Sequence, residues 1–282
     1  MKIRLVSDVH LEFLDDNRPS NVINYWHAVL PPLPDDAESI LVIAGDLCVI
    51  GDAYLRRLQE ILSDACDRFM KVVYVFGNHE YYHQTYYSTY DRLDLLPIAN
   101  SDKLMFTSDR VLSLPLPNGL WFHAVTLWTD FNKKDWAGMN AADQYMNDYR
   151  VIRTRDGEKH LISPLFTLNK HMEAVEELKL AIKPNSIVVT HHLPSRIAVH
   201  DKFKGNPQAE LLNGAYASSL EDLILDTKPQ AWMFGHTHTS FDGMIGSTRL
   251  MTNPVGYLTH GGPENKQYNP SFCYEATVNA ME

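Results

Sequence analysis

What this chain lacks narrows its role first. It has no excess of positive charge: 25 Lys and Arg stand against 35 Asp and Glu, a formal net charge of −10. Sequence-blind binding to nucleic acid needs a basic face that displaces counterions, so the balance speaks against it and leaves room only for a short or cyclic nucleotide held in a pocket. No apolar run approaches the roughly 20 residues of a membrane-spanning helix. The start, MKIRLVSDVHLEF, meets Asp8 inside what would be the apolar stretch of a secretory leader. Cysteine is scarce as well. Cys48, Cys66 and Cys273 are odd in number and far apart, which excludes a disulfide framework and fits the reducing cytoplasm. The sequence carries no repeat, no low-complexity tract and no long run of charge.

What is present suits a folded chain. Of 282 residues 45% are hydrophobic and 21% charged, enough apolar surface for a core and too little charge for a disordered chain. Short apolar runs at Lys2–Ser7, Ser39–Ala44, Lys71–Phe76, Gly119–Val125, Ser186–Thr190, Ala231–Phe234 and Arg249–Thr252 read as strands. Helical periodicity falls between them. In Tyr54–Phe69 the stripe is Leu55, Leu58, Ile61, Leu62, Ala65 and Phe69, with Asp52 placed to cap it. Two further stripes are Met172, Val175, Leu178 and Ile182 in His171–Ile182, and Leu220, Leu223 and Ile224 in Ala215–Leu225. Strand alternating with helix predicts an α/β layered fold. The stretch from about Asn118 to Ser163, rich in Trp, Asn and Asp, breaks that rhythm and reads as an insertion into a single domain spanning residues 1–282.

The chemistry lies where the strands end. Lys2–Ser7 runs into Asp8-Val9-His10, Ser39–Ala44 into Gly45-Asp46, and Lys71–Phe76 into Gly77-Asn78-His79-Glu80. Ser186–Thr190 runs into His191-His192, and Ala231–Phe234 into Gly235-His236-Thr237-His238. Sites in open α/β sheets assemble at the carboxyl ends of strands, so these distant residues are expected to converge. Asp and Asn oxygens beside imidazole nitrogens suit Mn, Fe, Zn or Co better than Ca or Mg. Seven plausible ligands exceed what one ion uses once water has its share. Two ions about 3.5–4 Å apart would absorb them, polarising a phosphoryl group and generating hydroxide together.

Asp-x-His, Gly-Asp, Gly-Asn-His-Glu, an isolated His and Gly-His-x-His, in that order from Asp8 to His238, resemble the signature of the calcineurin-like metallophosphoesterases. The resemblance implies a four-layer αββα sandwich, two mixed β-sheets face to face with helices outside. It implies that Asp8, His10 and His238 hold a first metal ion, that Asn78, His191 and His236 hold a second, and that Asp46 bridges them. Two divalent transition-metal ions are expected, manganese foremost, with iron, zinc, nickel or cobalt as alternatives. It places His79 just outside the metals, near the scissile phosphate oxygens. Elementary chemistry agrees: one carboxylate has two oxygens for two cations, and Asn78 is a neutral donor that keeps negative charge from accumulating. A bridging hydroxide would attack phosphorus in line while His79 steadies the phosphoryl group or protonates the leaving oxygen.

The protein phosphatase branch of that family extends Gly-Asp to Gly-Asp-x-Val-Asp-Arg-Gly. This chain reads GDLCVIG, with Val49 in place of the acid and Ile50 in place of the Arg. That counts against a phosphoprotein phosphatase and leaves the partner of His79 open, Glu80 being only adjacent in sequence. His191 is taken as the ligand of its pair because it comes first after the strand, and His192 is left to support or substrate contact. Arg150 and Arg153 are candidates to clamp a phosphate. Tyr81, Tyr82, Tyr86, Tyr87 and Tyr90 suit packing or stacking on a base. The function expected is hydrolysis of a small phosphorylated substrate, mono- or diester, leaning to a diester or nucleotide-like molecule. A nuclease of the same family and a non-catalytic interaction scaffold on the same fold are the alternatives.

Overall fold

The structure, a computed structural model, describes residues 1–14, 21–116, 119–155, 157, 160–259 and 262–277. The start of the expected insertion at Asn118 lies outside them. In chain order the elements are β1 (Lys2–Val6), α1 (Asn21–Val29), β2 (Ser39–Ala44), α2 (Leu55–Arg68), β3 (Lys71–Val75), α3 (Tyr86–Asp94), β4 (Leu104–Thr107), β5 (Leu112–Pro115) and β6 (Trp121–Val125). Then come α4 (Phe131–Lys134), α5 (Trp136–Tyr145), α6 (Asp148–Val151), α7 (Pro164–Ala181), β7 (Ser186–Thr190), α8 (Pro207–Asn213), α9 (Glu221–Thr227) and β8 (Ala231–Met233). The chain continues through β9 (Phe241–Ile245), β10 (Thr248–Thr252), β11 (Leu258–Thr259), β12 (Gly262–Pro263) and β13 (Cys273–Glu275).

Two mixed sheets dominate. One runs β13-β1-β2-β3-β4, parallel except for β13; the other runs β5-β6-β7-β8-β10-β9, with antiparallel β5 and β9 at its edges. Alternation along each strand sorts side chains into three apolar layers. Ile3, Leu5, Ile40, Val42, Val73 and Val75 of the first sheet face Phe122, Ala124, Ile187, Val189, Ala231 and Met233 of the second. The opposite face of the first sheet, with Val6, Leu41, Ile43, Val72 and Tyr74, packs on Leu58, Ile61, Leu62 and Ala65 of α2. On the far side of the second sheet, Val188 and Trp232 pack on Ala174 and Leu178 of α7 and Leu223 and Ile224 of α9. This is the expected four-layer αββα sandwich. Strands buried on both faces explain why the runs are apolar throughout rather than alternating.

Several local expectations are corrected. Asp52 does not cap α2; Tyr54 stands at the cap position without a side-chain bond, and Asp52 accepts from Arg92 instead. Helix α7 begins seven residues before His171, where Ser163 Oγ accepts the Phe166 N–H and Pro164 occupies the first turn. Its buried face is Leu168, His171, Ala174 and Leu178, while Met172 is exposed. The helix expected from Ala215 starts only at Glu221, because bridges Leu193–Ala217 and Ser195–Ser219 hold the preceding residues extended. Between β6 and α7 lie α4, α5 and α6; α4 is a left-handed turn, with φ from 48° at Phe131 to 72° at Lys134.

Candidate metal centre

Five loops leave the carboxyl ends of β1, β2, β3, β7 and β8 and meet at one rim of the two sheets. Backbone bonds stitch them together: Asp8 N–H to Gly45 O (3.0 Å), His10 N–H to Asp46 O (3.0 Å) and Gly235 N–H to His191 O (3.0 Å). The Asp8 carboxylate accepts the His236 N–H at 2.9 Å. Five residues of the expected set sit in the left-handed region: Asp8 (φ 54°), His10 (50°), Asp46 (53°), His236 (68°) and His238 (48°). Such backbone costs about 1–3 kcal/mol per residue and persists where the surroundings over-determine it, as at functional sites.

The glycines of two motifs are explained by the same crowding. A Cβ at Gly45 (φ 86°) would strike the His191 ring, and one at Gly77 would strike Asp46 Oδ1. Only glycine lets the three loops approach this closely.

All seven expected donors converge. Their ligand atoms form overlapping groups within 4.8 Å, Asp8 with His10 and His238, and Asp46 with His191 and His236; a third joins His10, Asp46 and His79. Asp46 faces both halves, with Oδ2 3.8 Å from His10 Nε2 and Oδ1 3.4 Å from His191 Nε2. Asn78 Oδ1 lies 3.0 Å from His191 Nε2.

The protonation logic of these rings asks for cations. His10 Nδ1 faces Glu12 Oε1 (3.2 Å) and His238 Nδ1 faces Glu264 Oε2 (2.8 Å), so each places its proton on Nδ1. Their Nε2 lone pairs then oppose each other at 3.0 Å. His191 donates Nδ1–H to Ala44 O (2.9 Å), which turns its Nε2 lone pair toward Asn78 Oδ1 and Asp46 Oδ1, both acceptors. His236 Nε2 is buried with no partner. Acceptors facing acceptors in a buried place are repulsive unless a proton or a metal ion lies among them; burial opposes a charged His191, yet Asp46 raises its pKa to about 10, so the pocket calls for positive charge and the residues present fit metal ions. Burial alone would raise the Asp46 pKa, but the imidazoles of His191, His79 and His10 hold it well below the usual carboxylate range.

His79 stands beside the donors, stacked on Tyr82 (4.1 Å, 24°). Its partner is Glu12, whose Oε1 lies 2.8 Å from His79 Nδ1. Burial disfavours its charged form, yet Asp46 and Glu12 overcome this and raise its pKa to about 9. Glu80 turns away and accepts the backbone N–H groups of Asp46, Leu47 and Gly77 and the Tyr74 hydroxyl. His192 joins none of the three donor groups; its Nδ1 faces Thr126 O (3.3 Å) and its ring packs on Trp128 and His236. Burial, then neighbouring His191, pushes it well below the usual imidazole range.

Other candidates fall elsewhere. Arg150 and Arg153 donate to the carbonyls of Gln144 and His83. Tyr81 and Tyr86 stack on each other in the core (4.7 Å, 11°). Sequence reasoning missed Glu12, Glu264, Tyr257 and Asp148 around the donors, and left Glu80 of the third motif without a role. Asp148, from α6, accepts Asn78 Nδ2–H (2.9 Å) and the Tyr82 hydroxyl (2.7 Å), which aims the Asn78 carbonyl oxygen at His191. Glu12 carries a local signal, lying two residues after His10, whereas Asp148 and Glu264 carry none.

A family profile described as calcineurin-like phosphoesterase matches residues 1–240. An uncharacterized protein of Acanthamoeba polyphaga mimivirus is 28% identical over 284 residues, covering 95% of this chain and 94% of its own length. Among solved structures, phosphopantetheinyl hydrolase from Mycobacterium tuberculosis superposes with a TM-score of 0.62 at 16% identity, covering 91% of this chain and 89% of that one. That likeness shows the fold. A dimetal phosphatase from Danio rerio aligns at 14% identity with a TM-score of 0.43, covering 89% of this chain and 86% of that one.

Proposed function

The chain belongs to the calcineurin-like phosphoesterases, hydrolases of phosphoric ester bonds, and from that premise we propose that it cleaves its substrate at a centre of two divalent transition-metal ions. Asp8, His10 and His238 would hold one ion, Asn78, His191 and His236 the other, and Asp46 both. Manganese is foremost, with iron, zinc, nickel or cobalt able to substitute. The opposed Nε2 atoms of His10 and His238, 3.0 Å apart, carry the reading. A cation between them removes the repulsion without protonating a ring.

When bound, such ions polarise the phosphoryl oxygens and acidify coordinated water. The chain's own residues supply position and a proton. Glu12 holds the Nδ1 side of His79, which leaves Nε2 to donate to the departing oxygen. Asp148 and Glu264 fix the orientations of Asn78 and His238.

A small diester or nucleotide-like substrate is favoured over a phosphoprotein. Val49 and Ile50 stand where the protein phosphatase branch has Asp and Arg, and Arg150 and Arg153 are engaged by carbonyls. The same reading takes the chain as one catalytic domain, with residues from about 118 to 163 inserted beside its site. Among the described residues no helix is long and apolar enough to cross a membrane. Three free thiols fit a reducing compartment such as the cytoplasm.

Metal analysis and turnover together test the proposal. The protein should carry about two transition-metal ions per chain, lose hydrolysis of bis-p-nitrophenyl phosphate on chelation, and regain it with Mn. A chain that binds no such ion, with no rate gain on adding Mn, would overturn it.

A further inference from the structure

Three exposed rings stand on the rim of the donor cluster, and they stand at its two ends. Phe13 is 57% exposed, Tyr257 40% and Tyr216 38%. Phe13 and Tyr257 meet edge to face, centroids 5.3 Å apart at 87°. Tyr257 lies 4.6 Å from the rings of both His10 and His238, with its hydroxyl 3.5 Å from His79 Nε2. Tyr216 lies at the other end, stacked on His236 (4.9 Å, 28°). His10 and His238 group with Asp8, whereas His236 groups with Asp46 and His191. One aromatic wall therefore adjoins each half of the centre.

Both walls are held in place. Glu264 Oε2 accepts the Tyr257 N–H (3.2 Å) as well as facing His238 Nδ1. The Tyr216 backbone donates to Asn213 O (3.1 Å) and accepts the Leu193 N–H (3.3 Å). Rings carried on backbone fixed in this way, and packed against His10, His238 and His236, lose little freedom when a flat group settles on them, and any aromatic face is accepted because stacking needs no matching donors.

A phosphodiester carries one organic substituent on each side of phosphorus, whereas a monoester carries one. We infer that this site takes a diester whose two substituents are flat aromatic groups, aryl or nucleobase. The departing group lies on Phe13 and Tyr257 beside His79, and the retained group lies on Tyr216. This rests on the phosphoesterase reading of the same site. In the reaction the P–O bond to the departing group breaks and a P–O bond to the oxygen of water forms. His79 Nε2 gives its proton to the departing oxygen and the proton shed by the water replaces it on His79, so the products are a phenol or an alcohol and a monoester.

Three esters and two variants test it. Bis-p-nitrophenyl phosphate has both rings, methyl p-nitrophenyl phosphate keeps only the departing ring, and p-nitrophenyl phosphate is the monoester. The Mn-loaded protein should favour the first in kcat/KM over each of the others by about 10-fold or more, within the range that stacking of one ring supplies. Tyr216→Ala should lower kcat/KM for the bis-aryl diester by about 5- to 150-fold more than for the methyl ester. Phe13→Ala should lower both diesters. Metal content should stay as in the parent, and Tyr216→Leu serves if the alanine variant does not fold. Equal turnover of the two diesters, preference for the monoester, or a Tyr216 effect common to all three overturns this inference alone. If none of the three esters is hydrolysed, the phosphoesterase reading falls with it.

Discussion

Glu12 Oε1 lies 2.8 Å from His79 Nδ1 and 3.2 Å from His10 Nδ1, so one carboxylate oxygen holds an imidazole of the donor set and the imidazole beside it. The acid that the protein phosphatase branch carries after Gly-Asp is Val49 here, and the carboxylate arrives from the β1 loop instead. Glu12→Gln keeps the shape and removes the charge that favours protonated His79. It should lower kcat by about 10- to 100-fold for phenyl and alkyl esters, whose leaving oxygens need a proton. p-Nitrophenyl esters, with a better leaving group, should lose much less. Rates measured across leaving groups of graded acidity check this; a uniform loss would remove His79 from the role of proton donor.

Asp46 is the one donor that faces both halves, through Oδ2 toward His10 and Oδ1 toward His191. Its Oδ1 also accepts the His79 N–H at 2.9 Å. On the two-ion proposal, Asp46→Ala should therefore lose both ions and nearly all activity, while His238→Ala should lose only the ion proposed for Asp8 and His10. Plasma emission of the purified variants gives the stoichiometry. Retention of one ion by Asp46→Ala would show that the two halves bind independently.

His191 and His192 are neighbours with opposite surroundings. His191 directs Nε2 at Asn78 and Asp46, whereas His192 faces a backbone carbonyl and Trp128. His191→Ala should empty half the centre and abolish turnover. His192→Ala should keep its metal and lose stability, by about 2–4 kcal/mol for a buried ring of this size. Metal content and urea unfolding separate the two effects, and the reverse pattern would exchange the assignments.

Five of the seven donors were legible because they come after strands whose composition is unmistakable, while His236 and His238 follow the short AWM of β8 and were marked by Gly-His-Thr-His itself. KIRLV, SILVIA, KVVYV and SIVVT are strands buried on both faces, so β-branched runs end abruptly in Asp, Asn or His. The edge strands gave no such signal. FDGMI of β9 holds Gly and Asp, LSLP of β5 ends in Pro, and CYE of β13 is three residues long. Their pairing is decided by neighbours rather than by propensity. The carboxylates behind the rings were hidden for a related reason. Glu264 and Asp148 reach their partners from 26 and 70 residues away, through a turn and a helix whose paths composition does not specify. Left-handed backbone at Asp8, His10, Asp46, His236 and His238 is likewise set by crowding at the rim, since those residue types do not demand it.

His123 offers a check on the core away from the centre. It lies on β6 between Ser113 Oγ (2.9 Å) and Ser186 Oγ (3.0 Å), and burial, with Lys183 nearby, lowers its pKa to about 4. The unfolded chain holds this imidazole near its ordinary value of 6.5. Between about pH 6.5 and 4 the unfolded state binds a proton that the folded state refuses, so folding free energy falls as the solution is acidified through that window. Above it the contribution is fully present. The loss amounts to about 3 kcal/mol when complete. His123→Gln keeps hydrogen-bonding capacity and cannot titrate. Its urea midpoint should fall less steeply than the parent's between pH 7 and 4.5, and parallel profiles for the two proteins would show that His123 already carries a proton in the fold.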